Sequence, residues 1–329
     1  MKDVGQRAAE LAGLKHAAPY IRLFKGKTFV VKAGGEALEN DAAIRKLLEQ
    51  IEILTHVGVR VVLVHGGGSE SSELLRALGG EPRFVEGRRV TDEKALEVAS
   101  MVLNGSVNTR IVAVARSLGL ATVGVSGVDG GLIQARRRPP VRVGDQMVDY
   151  GYVGDVVSVA PGLLTTLLDA GMVPVVSPLS AADDGTLLNI NADTIAAAVA
   201  VGLRAEKLIL LTGASGVLEK SEDLGSLVSY TDLEGLRRLR DLGGLTRGML
   251  PKASAIEAAI RGGVERVHIL SWQTPDGLLA EVFTNEGVGT LVVKDIDALT
   301  PAEQAVGETV ERPKVVPMAI SAEAPGGVI

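Results

Sequence analysis

The sequence predicts an α/β sandwich assembled from βα units around a parallel sheet. Two observations lead there. Short runs of Val, Ile and Leu recur at residues 28–31, 59–64, 122–125, 173–176 and 207–211, each bounded by Gly or charge. Such runs suit strands covered on both faces. Helical patterns fill much of the space between them, at residues 41–56, 69–78, 92–118, 194–201 and 252–260.

Each element has its own local reason. Residues 3–18 carry Val4, Ala8, Leu11 and Ala12 on one helical stripe, and Pro19 predicts the stop. Helix 41–56 presents Ile44, Leu47, Leu48, Ile51 and Leu54 to one side, with Gly58 ending it. Strand 59–64 runs through His65-Gly66-Gly67-Gly68 into helix 69–78. Residues 136–157 leave this rhythm: Pro139-Pro140, Gly144-Asp145 and residues 149–157 predict a hairpin excursion on one edge. The tail from Asp295 is acidic and contains Pro301, Pro313, Pro317 and Pro325. Within it, Thr300-Pro301-Ala302-Glu303 predicts one short capped helix in an otherwise loosely ordered segment.

Composition narrows the function classes. The 329 residues leave room for one large domain or two lobes, and 46% hydrophobic content suffices for a core. Zero cysteines exclude disulfides, thiolate nucleophiles, cysteine-ligated zinc and ordinary iron–sulfur clusters. A net charge of -6 with 3% aromatics argues against broad capture of nucleic acid. The amino terminus lacks the apolar stretch of a signal peptide, and no window approaches about 20 consecutive apolar residues. The expectation is a cytoplasmic protein without a membrane or nucleic-acid partner.

Five motifs could carry chemistry. In Val31-Lys32-Ala33-Gly34-Gly35 a lysine ends a buried strand before paired glycines, which let backbone N–H groups approach an anion. A plain turn with a solvated lysine would leave the same trace. The loop His65–Gly68 opens a helix, where free N–H groups and the helix dipole converge on an oxyanion. It misses both the G-x-G-x-x-G fingerprint and the P-loop pattern, and His65 reads as a structural hydrogen-bonding residue. Gly87-Arg88-Arg89-Val90-Thr91-Asp92 offers an arginine able to grip a carboxylate, or simply a solvated turn. Asn189-Ile190-Asn191-Ala192-Asp193 could cap the helix that follows, yet a fixed Asp193 could also hold two lysines in place. Arg247-Gly248-Met249-Leu250-Pro251-Lys252 puts a lysine beside the positive end of a helix, an unfavourable place unless an anion is near.

Two lysines, an aspartate, an arginine and two glycine loops suit phosphoryl transfer better than hydrolysis or redox chemistry. Such transfer needs positioning and charge neutralisation. A carboxylate acceptor suits especially, since an anionic nucleophile needs no general base.

The order and spacing of these motifs resemble the N-acetyl-L-glutamate kinases of the amino-acid kinase family, over residues 19–293. Further matching stretches are Ser126-Gly127-Val128-Asp129-Gly130, Val153-Gly154-Asp155 and Gly287-Val288-Gly289-Thr290. The resemblance implies an open, mostly parallel central sheet in an αβα sandwich of two lobes. It implies an N-terminal helix over 1–25, an acetylated-amino-acid lobe over 26–202, an ATP lobe over 203–294 and a tail over 295–329. The implied reaction is ATP-dependent phosphorylation of the side-chain carboxylate of N-acetyl-L-glutamate in arginine biosynthesis, with Mg²⁺ carried by ATP rather than by the protein. Lys32 and Lys252 would stabilise the migrating phosphoryl group and Asp193 would orient both. Gly67 and Gly68 would meet the substrate's reacting end, Arg89 its α-carboxylate and Asn189 its acetamido group. Gly34, Gly35, Thr212 and Gly213 fall on the nucleotide side. Tyr20, His268, Glu281 and Gly287 resemble the arginine-inhibited branch, which forms dimers and hexamers as trimers of dimers.

The chain departs from that pattern in places. Val128 and Ser106 stand where lysines are often found, Gly213 replaces an aspartate, and Ser271-Trp272 replaces Asp-Gly. Two other readings therefore stay open at this point: an N-acetyl-L-2-aminoadipate kinase of lysine biosynthesis, and a non-catalytic arginine-sensing homologue.

Overall fold

Eight strands form one twisted sheet in the order 230–232, 290–293, 266–271, 207–212, 28–33, 60–65, 173–177 and 122–126. All neighbouring pairs run parallel except Arg266–Ser271 against Thr290–Val293. This computed structural model describes residues 4–295 except 221–222, 243–244, 246–247 and 285–286, without the side chains of residues 4–11, 36 and 224. The expected tail helix at 300–303, Arg247 and the side chains of Val4, Ala8 and Leu11 lie outside the described residues.

The mostly parallel sheet agrees with the expectation, and the five strands predicted from sequence are all in it. Four of them are buried along nearly their whole length, as between helices on both sides, while Thr122–Ser126 at the sheet edge buries only its last two residues. Pleating divides the side chains between the two covers. Phe29, Val31 and Ala33 face the core that Ile44, Leu48 and Ile51 fill from helix Asp41–His56. Val30 and the residue two further on, Lys32, face the opposite layer, which contains Ile195, Ala196 and Val199 of helix Ala192–Gly202. The small residues of this helix let helix Met249–Arg261 pack closely beside it.

Four features differ from the sequence reading. Helix Val4–Phe24 continues through Pro19, because Tyr20 and Phe24 have core to cover: Phe24 meets the Phe29 ring edge-on at 5.2 Å. The run 92–118 is helical throughout, but Met101–Val107 winds as a π-helix between helices Glu93–Ser100 and Asn108–Ser117. Side chains on and just after this wider turn bond to a sheet strand: Asn104 accepts from Ser177 Oγ, and Asn108 donates to the Val175 carbonyl. By length and composition 93–117 could span a bilayer, yet here it contributes Val98, Val102, Val107, Ile111 and Val114 to the core.

The two ends of the excursion at 136–157 lie in a second, four-stranded sheet, ordered 187–189, 179–181, 133–137 and 154–159, and its middle forms a separate two-stranded one. A two-residue hairpin joins Val141–Val143 to Gln146–Val148 through Gly144-Asp145, as predicted. Finally, strands Arg266–Ser271, Thr290–Val293 and Tyr230–Asp232 extend the sheet on the C-terminal side. Strand Thr28–Ala33 pairs with Lys207–Thr212, so one continuous sheet crosses the expected lobe boundary.

Candidate active site

Parallel strands in register end together. Ala33 pairs with both His65 and Leu211, so three loops leave the sheet along one edge. A cleft of about 300 Å³ opens there, lined by Lys32, Gly35, Gly67, Gly68, Arg89, Asn189, Asp193 and Lys252 among others. Ligand sites outside the carboxyl ends of strands are what an open α/β sheet predicts.

At its centre one carboxylate joins two ammonium groups. Lys32 Nζ lies 2.9 Å from Asp193 Oδ1, and Lys252 Nζ lies 3.1 Å from Asp193 Oδ2. Lys32 reaches this point because pleating turns it toward helix Ala192–Gly202. The sequence left open whether the Asn-Asp segment merely caps that helix. Asn191 is the cap, accepting from the N–H groups of Asp193 and Thr194 at 2.9 and 3.2 Å. Asp193 is thereby left to the lysines. It is also the anion expected beside Lys252, which sits in the first turn of helix Met249–Arg261.

Burial and the neighbouring charges act on Lys32 and Asp193. Burial drives the Lys32 ammonium below its ordinary pKa; Asp193 opposes this and Lys252 adds to it. Burial would raise Asp193, but the two ammonium groups overcome it and hold the carboxyl below its usual range. Two positive charges and one negative leave a surplus of one at the cleft floor.

The glycine loops come together against this floor. A Cβ on Gly35 would stand 2.7 Å from Ser69 Oγ, and one on Gly67 would stand 2.8 Å from Leu103 Cδ2. Both approaches require glycine unless a neighbour moves. No side chain caps helix Gly68–Ala77, which leaves its first N–H groups for a ligand.

Arg89 is aimed by a hairpin. Glu86 and Gly87, both at positive φ, make the two-residue turn between Arg83–Val85 and Arg88–Val90. Arg89 Nη2 donates to the Gly68 carbonyl at 2.7 Å and to Ser72 Oγ at 2.6 Å, and the guanidinium lies 4.8 Å from the Phe84 ring centroid. Asn189 Nδ2 donates to Thr91 Oγ1 at 3.2 Å.

Gly34, Thr212 and Gly213 stay just outside this cleft. A Cβ on Gly34 would be 3.7 Å from Lys32 Nζ, and Thr212 ends the adjacent strand, its hydroxyl bonded to the Ala214 backbone. Arg88, from the arginine motif, and Arg138 also line the cleft, and Arg138, like the Ser72 that holds Arg89, escaped the sequence reading. Ser72 lies four residues after Gly68, a helical spacing that could have flagged it. Arg138 is held by Asp155 Oδ1 at 2.6 Å, a pairing no local pattern announces.

A second group gathers on the far side of the C-terminal strands. His268 Nδ1 lies 2.6 Å from Glu281 Oε1, and Glu281 Oε2 accepts from the Val288 N–H at 2.7 Å. Gly287, at φ +58, leaves room for that carboxylate. His268 Nε2 lies 3.0 Å from Lys207 Nζ, which faces the Phe24 ring at 4.9 Å, and Tyr20 stacks on Phe24. Burial pushes His268 down to about 4, helped by Lys207. Glu281 is held below its usual range: burial opposes this but yields to His268, the Val288 N–H and Lys207. The four residues singled out from sequence thus share one neighbourhood.

Comparison with known proteins places this geometry. The model of the amino acid kinase family matches residues 27–271. The acetylglutamate kinase of Symbiobacterium thermophilum is 45% identical over 290 residues, 88% of this chain and 99% of its own. Among solved structures, the N-acetylglutamate synthase of Neisseria gonorrhoeae complexed with coenzyme A and N-acetyl-glutamate superimposes with a TM-score of 0.76 at 30% identity. That match covers 90% of this chain and 68% of the synthase. The same synthase complexed with coenzyme A and L-arginine gives 0.75 at 31% identity, covering 87% and 65%. With a family model spanning most of its length and relatives this close, the chain belongs to the amino acid kinase family, with acetylglutamate kinases as near relatives.

Proposed function

We propose that the chain is an acetylglutamate kinase, transferring the γ-phosphoryl group of ATP to the side-chain carboxylate of N-acetyl-L-glutamate in arginine biosynthesis. The observation that carries this reading is the Lys32–Asp193–Lys252 bridge at the floor of a cleft edged by two glycine loops. A carboxylate oxygen attacks the γ-phosphorus, the bond to the β–γ bridging oxygen breaks, and ADP leaves with the electron pair. Charge accumulates on the transferring group, where Lys32, Lys252 and the loop N–H groups of Gly67 and Gly68 meet it. Asp193 keeps the two ammonium groups at the right spacing without reacting.

The nucleophile arrives ionised, so the cleft needs no general base. Mg²⁺ would come with the nucleotide phosphates and screen their charge, since the cleft's own carboxylate, Asp193, is taken up by two lysines. The nucleotide belongs on the 203–294 side, near Gly34, Gly35, Thr212 and Gly213, and the acetylated amino acid on the 26–202 side. Arg89, steadied by Ser72 and Phe84, is placed to take the α-carboxylate, and Asn189 the acetamido group.

Trapping the acyl phosphate with hydroxylamine tests this. Product should require ATP, Mg²⁺ and acetylglutamate, with kcat/KM higher for acetylglutamate than for acetylaminoadipate. Folded protein that gives no hydroxamate would favour an arginine sensor. Arg89→Ala should raise the KM for acetylglutamate by about 10–100-fold, the worth of charge-assisted hydrogen bonds, with a smaller effect on kcat. A change confined to kcat would count against this role.

We further propose that L-arginine is a feedback ligand at the cluster of Tyr20, His268, Glu281 and Gly287. Support comes from an anionic Glu281 beside a helix whose Leu14 and Leu23 are exposed for contact with other copies. Such contact suits a homo-oligomer, a dimer or a hexamer as a trimer of dimers. Glu281→Gln should weaken arginine inhibition about tenfold or more, as loss of a charged partner does, with uninhibited turnover unchanged. Undiminished inhibition would place arginine elsewhere.

A further inference from the structure

His65 and Asn108 are among the buried polar side chains to which the phosphoryl transfer assigns no task. They lie behind the glycine loop and are 0% and 6% exposed. Asn108 Nδ2 donates to the Val175 carbonyl at 2.9 Å and lies 3.0 Å from His65 Nε2. An amide nitrogen can only donate, so His65 Nε2 is the acceptor and its neutral ring carries the proton on Nδ1. That Nδ1–H donates to the Gly66 carbonyl at 2.9 Å. Burial lowers the imidazole pKa to about 4, so the ring is neutral near pH 7.

The consequence follows from peptide geometry. In a planar trans peptide the C=O and the following N–H point in opposite directions. With the Gly66 carbonyl drawn back to the imidazole, the Gly67 N–H is turned the other way, and both glycines line the cleft. This N–H donates to no protein acceptor among the described residues. The next two carbonyls are also held: that of Gly67 by Ser71 Oγ at 2.6 Å, and that of Gly68 by Ser72 Oγ at 2.8 Å and Arg89 at 2.7 Å. Those two are secured mainly from the helix's own next turn. Among the described residues the Gly66 carbonyl has only the imidazole, which is itself held from a helix 43 residues away. A peptide between two glycines flips easily for want of a Cβ, and a flipped one would present oxygen to an anion.

We propose that Asn108 and His65 are positioning residues: the amide selects the imidazole tautomer, and the imidazole locks the Gly66–Gly67 peptide with its N–H toward the transferring phosphoryl group. This rests on the kinase reading, so the test has one readout independent of turnover. Nitrogen NMR of ¹⁵N-histidine protein at neutral pH, with the His65 signal assigned by its loss in His65→Asn, should show Nδ1–H alone. In Asn108→Ala the two tautomers should mix. A wild-type signal from Nε2–H or imidazolium overturns the lock.

The second readout uses amide geometry. Asparagine at position 65 can place its nitrogen near the Nδ1 site, whereas glutamine places it near Nε2. His65→Asn should keep kcat within about tenfold, and His65→Gln should lower it about 10²–10³-fold, as loss of an oxyanion donor does, with KM for acetylglutamate changed far less. Equal loss in both variants, or loss that simply follows a lowered Tm, assigns His65 to packing and overturns the proposal. If the wild-type protein forms no acyl phosphate, the kinase reading falls and the tautomer signal alone decides the lock.

Discussion

Replacing Lys252 with alanine is expected to lower kcat by about 10³-fold or more while acetylglutamate still binds. The range is that of single cationic groups that act on a transferring phosphoryl group. The Lys252 ammonium is anchored at 3.1 Å to Asp193 and waits for charge that develops only during transfer. A group used chiefly in the transition state affects kcat and kcat/KM together. Steady-state kinetics with both substrates varied, beside calorimetric binding of acetylglutamate, separates the outcomes. A raised KM with kcat unchanged would make Lys252 a binding residue and remove it from the chemistry.

Asp193→Ala should be worse for the fold as well as for turnover. It strips the counter-charge from two lysines, of which Lys32 is 7% exposed. Leaving a buried charge without its partner typically costs about 3–5 kcal/mol, or about 4–7 °C in Tm for a chain of this size. Asp193→Asn keeps the shape and should lose turnover similarly with part of the stability retained. The pH dependence has a definite sign. Asp193 gives up its proton more readily in the folded chain than in the unfolded one, so its ionisation stabilises the fold at neutral pH. That contribution starts to disappear below the unfolded carboxyl pKa of about 3.9 and is lost as pH falls through the lower folded value. Lys32 tilts stability the same way, in a higher pH window, because burial makes its charge a cost at neutral pH. Its folded pKa is lowered, so stability rises with pH between that value and the unfolded pKa of about 10.4. Chemical denaturation of wild type and Asp193→Asn from pH 7 to pH 3 should show the acid loss flattened in the variant. Parallel curves would mean that Asp193 does not carry the ionic link.

Much of the fold was legible because burial leaves a periodic trace. The strand expected at 173–176 runs one residue further, to Ser177, and helix 41–56 has the predicted bounds and buries the predicted face. The C-terminal strands were harder. Strand 230–232 has three residues, and Arg266–Ser271 mixes Arg, His and Ser into its apolar run. Pro19 misled because local propensity says stop, while Tyr20 and Phe24 gain more by packing against the sheet than the proline costs. The π-helical turn at 101–107 left no periodic signal, since one extra residue in a long apolar helix changes little in a window of hydropathy.

The candidate site divides along the same line. By itself the sequence determined the chemical inventory: which residues are cationic, which loops are glycine-rich, and that no cysteine takes part. The tertiary structure alone decided which groups meet. Asp193 could have been a helix cap until Asn191 was seen to fill that place. His65 was legible as a structural hydrogen-bonding residue, but its partner Asn108 was not, being 43 residues away. The physical reason is that alternation and helical period record whether a side chain faces the core. Which distant side chain lies opposite it depends on strand order and helix packing, and neither leaves a local mark on the chain.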